Sequence, residues 1–185
     1  MHVRRAFRFL LAVFIAWSLV AGHGAIAQVV AKKDRFGDAM ELLIPAAAAA
    51  LTLKRDDGDG FKDLAMTSLV ALGSSEVLKK AVHSQRPDGT PNGFPSAHTA
   101  IVFSAAGFVH ERYGLQWATP FYALATATAY TRVSTHNHFA KDVVGGALVG
   151  LGSAYLMTHP FSARTRASLA MGENRSLWLD VNSQW

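Results

Sequence analysis

Lys79 and Arg86 are separated by six intervening residues, and Pro87 follows, in the stretch KKAVHSQRP. Pro95-Ser96-Ala97-His98 comes next, and TRVSTHNHFAKD then places Arg132 six residues before His138 and His138 four before Asp142. Together these stretches supply three cations, a hydroxyl, two histidines and a carboxylate. That inventory suits chemistry on a tetrahedral oxyanion. The cations bind it, one imidazole attacks it and the other handles the proton.

Spacing gives each stretch a mechanical reading. On a helix, residues four apart share a face, so Asp142 can accept a hydrogen bond from one nitrogen of His138 and leave the other free to attack. Arg132, near the end of the preceding helix, can reach across the connecting turn, and its planar fork matches phosphate oxygens. Ser96 follows a proline that breaks the chain and so opens a helix. The free N–H groups of that first turn, with the Ser hydroxyl, form an anion site. His98 lies in the same turn, placed to protonate a departing alkoxide and later to activate water.

Taken singly, each stretch has a plainer reading: a solvated basic loop, a Ser helix cap, an acid favoured by a helix dipole. His136 and His138 suggest a metal pair, yet no further carboxylate or histidine cluster completes a site, so neither metal nor cofactor is expected. His83, His110, His136 and His159 are given no role. What carries the chemical reading is co-occurrence, in order, at helix ends.

The elements that must position these groups are helical. The chain has 185 residues, half of them apolar and 17% charged, which suits one domain with a real core. It contains no cysteine, which excludes a disulfide scaffold, a Cys-based zinc site and a Cys nucleophile. Arg4, Arg5 and Arg8, the apolar run Phe9 to Ala21 and Ala25-Ile26-Ala27 read as a cleaved secretory signal over residues 1–27. That segment carries three of the 18 Lys+Arg and none of the 13 Asp+Glu, leaving the mature chain at +2. No basic stripe points to nucleic acid.

Five helices are expected: about Asp38 to Leu53 with Asp38 as its cap and a kink at Pro45, Phe61 to His83, Ser96 to Arg112, Gln116 to Arg132, and His138 to Thr158. Residues 28–160 form the helical domain, and 161–185 a polar tail with one short strand near Ser176 to Val181. No series of strands is legible, so the fold class is an all-α bundle.

The three stretches resemble the signature of the type 2 phosphatidic acid phosphatase superfamily, K-x6-R-P, P-S-G-H and S-R-x5-H-x3-D. That superfamily also contains class A acid phosphatases, lipid phosphatases and vanadium haloperoxidases. The resemblance covers roughly Asp38 to Thr158. It implies His138 as nucleophile through a phosphohistidine, His98 as general acid and Asp142 as the residue orienting His138. It implies Lys79, Arg86, Ser96, Ala97 and Arg132 as phosphate ligands. Ala97 stands where the family has Gly, and Thr131 where it has Ser. Alanine keeps the backbone N–H and threonine keeps a hydroxyl.

The resemblance implies a metal-independent phosphatase acting on a phosphomonoester, with a lipid-linked phosphate favoured. The alternatives are a soluble periplasmic acid phosphatase, a vanadate-dependent haloperoxidase and a non-catalytic oxyanion-binding module. Tyr113 to Thr131 and Val143 to Ala163 are uncharged runs long enough to span a bilayer, whereas Leu42 to Leu53 and Leu64 to Ser75 are short. With a cleaved signal and spanning helices, all three stretches meet on the exported side. A periplasmic or inner-membrane enzyme with its site facing the periplasm is therefore expected.

Overall fold

The computed structural model describes residues 34–161, 165–171 and 177–183. The signal segment expected over residues 1–27 and part of the tail lie outside the described residues. Five helices run in order: α1 (Arg35–Lys54), α2 (Gly58–Val82), α3 (Ala97–Tyr113), α4 (Leu115–Ser134) and α5 (Ala140–Met157). The bundle is all-α. After it, β1 (Thr165–Met171) pairs antiparallel with β2 (Leu177–Ser183), so the single strand read from the tail is one half of a hairpin.

Two helix starts differ from the sequence expectation for one shared reason. Asp34, not Asp38, caps α1, and its Oδ1 accepts the Gly37 N–H at 2.8 Å. Asp57 caps α2 in the same way, accepting the Gly60 N–H at 2.9 Å, so the charged, Gly-rich turn is already the helix start. Both are Asp-x-x-Gly segments, and in both a Cβ on the glycine would collide with the capping carboxylate. Pro45 lies inside α1. Gly114, with φ at +93°, separates α3 from α4.

The core is centred on α3, which is buried on every side from Thr99 to Val109. Such a helix has neighbours all round, and α3 packs against each of the other four. Its closest approach is to α5. Gly146, Gly150 and Ala154 are each four residues apart, so they share one face. A Cβ on Gly146 would collide with the Ser96 carbonyl oxygen, and one on Gly150 with the Ala100 carbonyl oxygen. Ala154 meets Gly107 further along α3. The same face begins at Asp142, whose carbonyl accepts the Ser96 N–H at 2.9 Å. Small residues thus dock the start of α5 onto the start of α3, where two of the three stretches singled out from sequence lie.

The other end of α3 is tied by Arg112. Its Nε donates to Asp57 Oδ2 at 2.7 Å and its Nη1 to the His159 carbonyl at 2.8 Å, while Tyr113 Oη donates to the same Asp57 oxygen at 2.7 Å. Sixteen residues of helix separate Ser96 from Arg112, about 24 Å. Large apolar side chains stay exposed on the outer faces of the bundle, among them Leu42, Leu43, Leu69, Leu124, Leu148 and Leu156. Among the described residues one helix, α1, with 20 residues, is long and apolar enough by length and composition to cross a membrane. The sequence had pointed to α4 and α5 instead. The short run from Leu42 gains length because the helix continues to Arg35 and Lys54.

Candidate active site

Lys79 lies in the last turn of α2, and its side chain is only 14% exposed, whereas the adjacent Lys80 faces out. The six-residue spacing therefore selects the inward lysine. Its Nζ contacts Glu76 Oε1 at 2.7 Å. Arg86 sits in the loop between α2 and α3. That loop closes on itself: the Arg86 N–H donates to the Thr90 carbonyl at 2.8 Å and the Gly93 N–H to the Ser84 carbonyl at 2.7 Å. Gly93 lies against the Gln85 carbonyl and the Arg86 side chain, where an added Cβ would be tightly packed.

Ser96 is the N-cap of α3 and is fully buried. Its Oγ accepts from Thr99 Oγ1 at 3.2 Å, and its own N–H is taken by Asp142. The first-turn N–H groups of Ala97 and His98 have no acceptor within the helix. The helix start expected at Ser96 is therefore in place.

His98 has partners that sequence spacing did not indicate. Its Nε2 stands 2.8 Å from Glu41 Oε2 and 3.2 Å from Asp38 Oδ1, both on α1. Arg132, in the last turn of α4 and 5% exposed, also turns toward α1, with Nη1 3.3 Å from Asp34 Oδ2 and 3.1 Å from Asp38 Oδ1. Asp38 Oδ1 therefore bridges His98 and Arg132. The available signal was the spacing of Asp34, Asp38 and Glu41, which repeats on one helical face. The Thr131 hydroxyl is held inside α4 by the Thr128 carbonyl at 2.8 Å.

His138 corrects one local expectation. It does not begin α5. The helix is capped by Phe139, and His138 precedes it in a turn pinned by its own N–H donating to the Arg132 carbonyl at 3.0 Å. Its relation to Asp142 is therefore not that of two residues on a helix face. Asp142 is the third residue of α5, and its Oδ2 accepts the Phe139 N–H at 3.0 Å. The same oxygen lies 3.6 Å from His138 Nδ1, just beyond hydrogen-bond reach. The capping acid and the acid that faces the imidazole are one residue. Nδ1 faces the carboxylate, so Nε2 is the nitrogen left for other chemistry.

The electrostatics favour a neutral His138. Burial pushes its imidazole below the ordinary 6.5, the charges of Arg86 and Arg132 add to that shift, and Asp142 opposes it. Among the described residues, four buried side-chain atoms have no hydrogen-bond partner: Arg86 Nε, Arg132 Nε, His138 Nδ1 and Asp142 Oδ1. All four belong to the three stretches picked out from sequence.

The family model described as "PAP2 superfamily" matches residues 74–166, half of the chain and every one of these stretches. The chain belongs to the PAP2 superfamily. It is 34% identical to the lipid A 4'-phosphatase of Helicobacter pylori over 71% of this chain and 72% of that protein. It is 40% identical to the lipid A 1-phosphatase of Porphyromonas gingivalis, over 36% of this chain and 16% of that one. The crystal structure of Aquifex aeolicus LpxE shares the fold, with a TM-score of 0.52 and 19% identity over 68% of this chain and 87% of that one. The resemblance read from sequence is thus correct at the level of the PAP2 family.

Proposed function

We propose that this PAP2 phosphatase hydrolyses the phosphomonoester of a lipid-linked substrate through a phosphohistidine on His138. The observation that carries this reading is the set of four unpartnered buried atoms. Leaving a buried polar atom without a partner costs on the order of 1–3 kcal/mol each, and a chain does not leave four such atoms on one histidine and the three charged groups that act on it for stability. A tetrahedral oxyanion would satisfy the two arginine donors.

In this reading Lys79, Arg86 and Arg132 hold the non-bridging oxygens, joined by the Ser96 hydroxyl and the Ala97 N–H. His138 Nε2 attacks phosphorus in line as the ester P–O bond breaks, and His98 gives its proton to the departing oxygen. Asp142 offsets the positive charge that develops on the imidazole. Water, giving its proton to His98, then attacks phosphorus. The P–N bond breaks and inorganic phosphate leaves. No step requires a metal.

A lipid-linked substrate is supported by the lipid A phosphatases to which the chain is similar. The apolar outer faces of the helices agree with work at a bilayer. Residues 1–27 act as a cleaved export signal ahead of a catalytic domain at 28–160, so the site faces the periplasm. The test is phosphate release from a lipid phosphate in detergent and from p-nitrophenyl phosphate, both with excess chelator. Turnover of both, with the lipid preferred in kcat/KM, supports the proposal. Turnover that chelator abolishes and one added metal restores contradicts it.

A further inference from the structure

The family match begins at residue 74, so α1 lies outside it. Yet α1 supplies the carboxylates that hold His98, with Glu41 at 2.8 Å and Asp38 at 3.2 Å from Nε2. The two acids are not equivalent. Asp38 is 50% exposed and shares its Oδ1 with Arg132, which Asp34 also holds. Glu41 is 30% exposed, makes the shorter contact, and reaches Arg132 and Lys79 only through longer-range charge.

We propose that Glu41 is a positioning residue for His98. An imidazole in the first turn of a helix can rotate about its Cα–Cβ and Cβ–Cγ bonds, and a proton donor must meet its acceptor in one narrow geometry. Glu41 fixes Nε2 from the side of α1. That leaves Nδ1 as the nitrogen that faces the leaving-group oxygen. Without Glu41, Asp38 is drawn between His98 and Arg132 and no longer defines the ring. Misplacement of about 1 Å is enough to cost roughly 100-fold in rate. α1 is then part of the catalytic apparatus of this chain, although it carries none of the residues of the family signature. The inference rests on the reading of His98 as general acid.

A leaving-group comparison on the full chain tests it. kcat/KM, which reports the steps up to departure of the alcohol, is measured with an alkyl phosphate and with p-nitrophenyl phosphate for Glu41→Ala, Glu41→Gln, His98→Ala and the double variant. Thermal unfolding and the inhibition constant of vanadate are measured alongside. Glu41→Ala should lose about 10- to 100-fold on the alkyl phosphate and far less on p-nitrophenyl phosphate, whose leaving group scarcely needs a proton. Glu41→Gln, which keeps an acceptor oxygen, should recover much of that loss. Vanadate inhibition should hold steady, and adding Glu41→Ala to His98→Ala should cost nothing more. Equal losses on both substrates with a lower melting temperature would assign Glu41 a structural role and overturn the inference. So would losses that simply add in the double variant. If His98→Ala is selective for leaving group but Glu41→Ala behaves as wild type, only this inference fails. If His98→Ala shows no selectivity, the general-acid reading fails and takes the inference with it.

Discussion

The backbone N–H of Ser96 donates to the carbonyl of Asp142 at 2.9 Å, so the cap of α3 and the first turn of α5 meet in one peptide hydrogen bond. The helix start at Ser96 and the acid that faces His138 are therefore fixed relative to each other by main chain, not by side chains that must find their rotamers. Gly146, one turn beyond Asp142, is what permits the approach.

That docking gives a paired expectation on α5. Gly146→Ala places a methyl group into the Ser96 carbonyl, and overpacking of this kind costs about 1–3 kcal/mol. Gly152, on the same helix, has open space where its Cβ would be, so Gly152→Ala should be neutral or stabilising by up to about 1 kcal/mol. Thermal unfolding of the two variants checks this. Gly146→Ala should also lose activity in the fraction that remains folded, because Ser96 and Asp142 separate.

Asp142→Asn is expected to leave the fold nearly intact, since the amide oxygen can still accept the Phe139 N–H. Turnover should fall by about 10²- to 10⁴-fold, because a neutral side chain cannot offset the charge on the ring. Steady-state kinetics with a circular-dichroism melt separate the two effects. A variant with wild-type kcat would remove Asp142 from the reaction.

Much of this was legible in the sequence because the site is built at helix ends, where caps and breakers are local signals. Ser96 after Pro95 and the stop at Gly114 are of that kind. Three things were not legible. His138 looked helical because Asp142 lies four residues on. Its backbone N–H instead bonds to Arg132, and that tertiary turn leaves no local mark. The carboxylates around His98 and Arg132 come from α1, distant in sequence, and three acids on a helix face ordinarily mean only a solvated surface. Asp38 stands nearer the apolar run and so looks like the cap of α1, whereas the true cap, Asp34, precedes that run by one more turn.

The depressed His138 sets a pH dependence for stability as well as for activity. As pH falls below 6.5, the unfolded chain binds a proton on this histidine before the folded chain does. The folded state therefore loses stability as pH drops from 6.5 toward the lower folded value, and the contribution is fully present above 6.5. The acid limb of kcat/KM should likewise lie below the ordinary histidine range, because the proposed mechanism needs a neutral ring on His138. Unfolding measured between about pH 7.5 and about pH 5.5 should be less pH-dependent in His138→Gln than in wild type. An unchanged slope would place the proton uptake elsewhere.

The central claim is that phosphate passes through His138, and rapid-quench trapping tests it most directly. His98→Ala, slowed in the water step, is mixed with labelled p-nitrophenyl phosphate, whose leaving group needs little protonation, then quenched in base and digested, and the labelled peptide is sequenced. The expected result is an acid-labile, base-stable phosphate on the peptide that contains His138, formed with a burst of p-nitrophenol and absent from His138→Ala. Label on any other residue, or a phosphoenzyme that still forms in His138→Ala, would contradict the account.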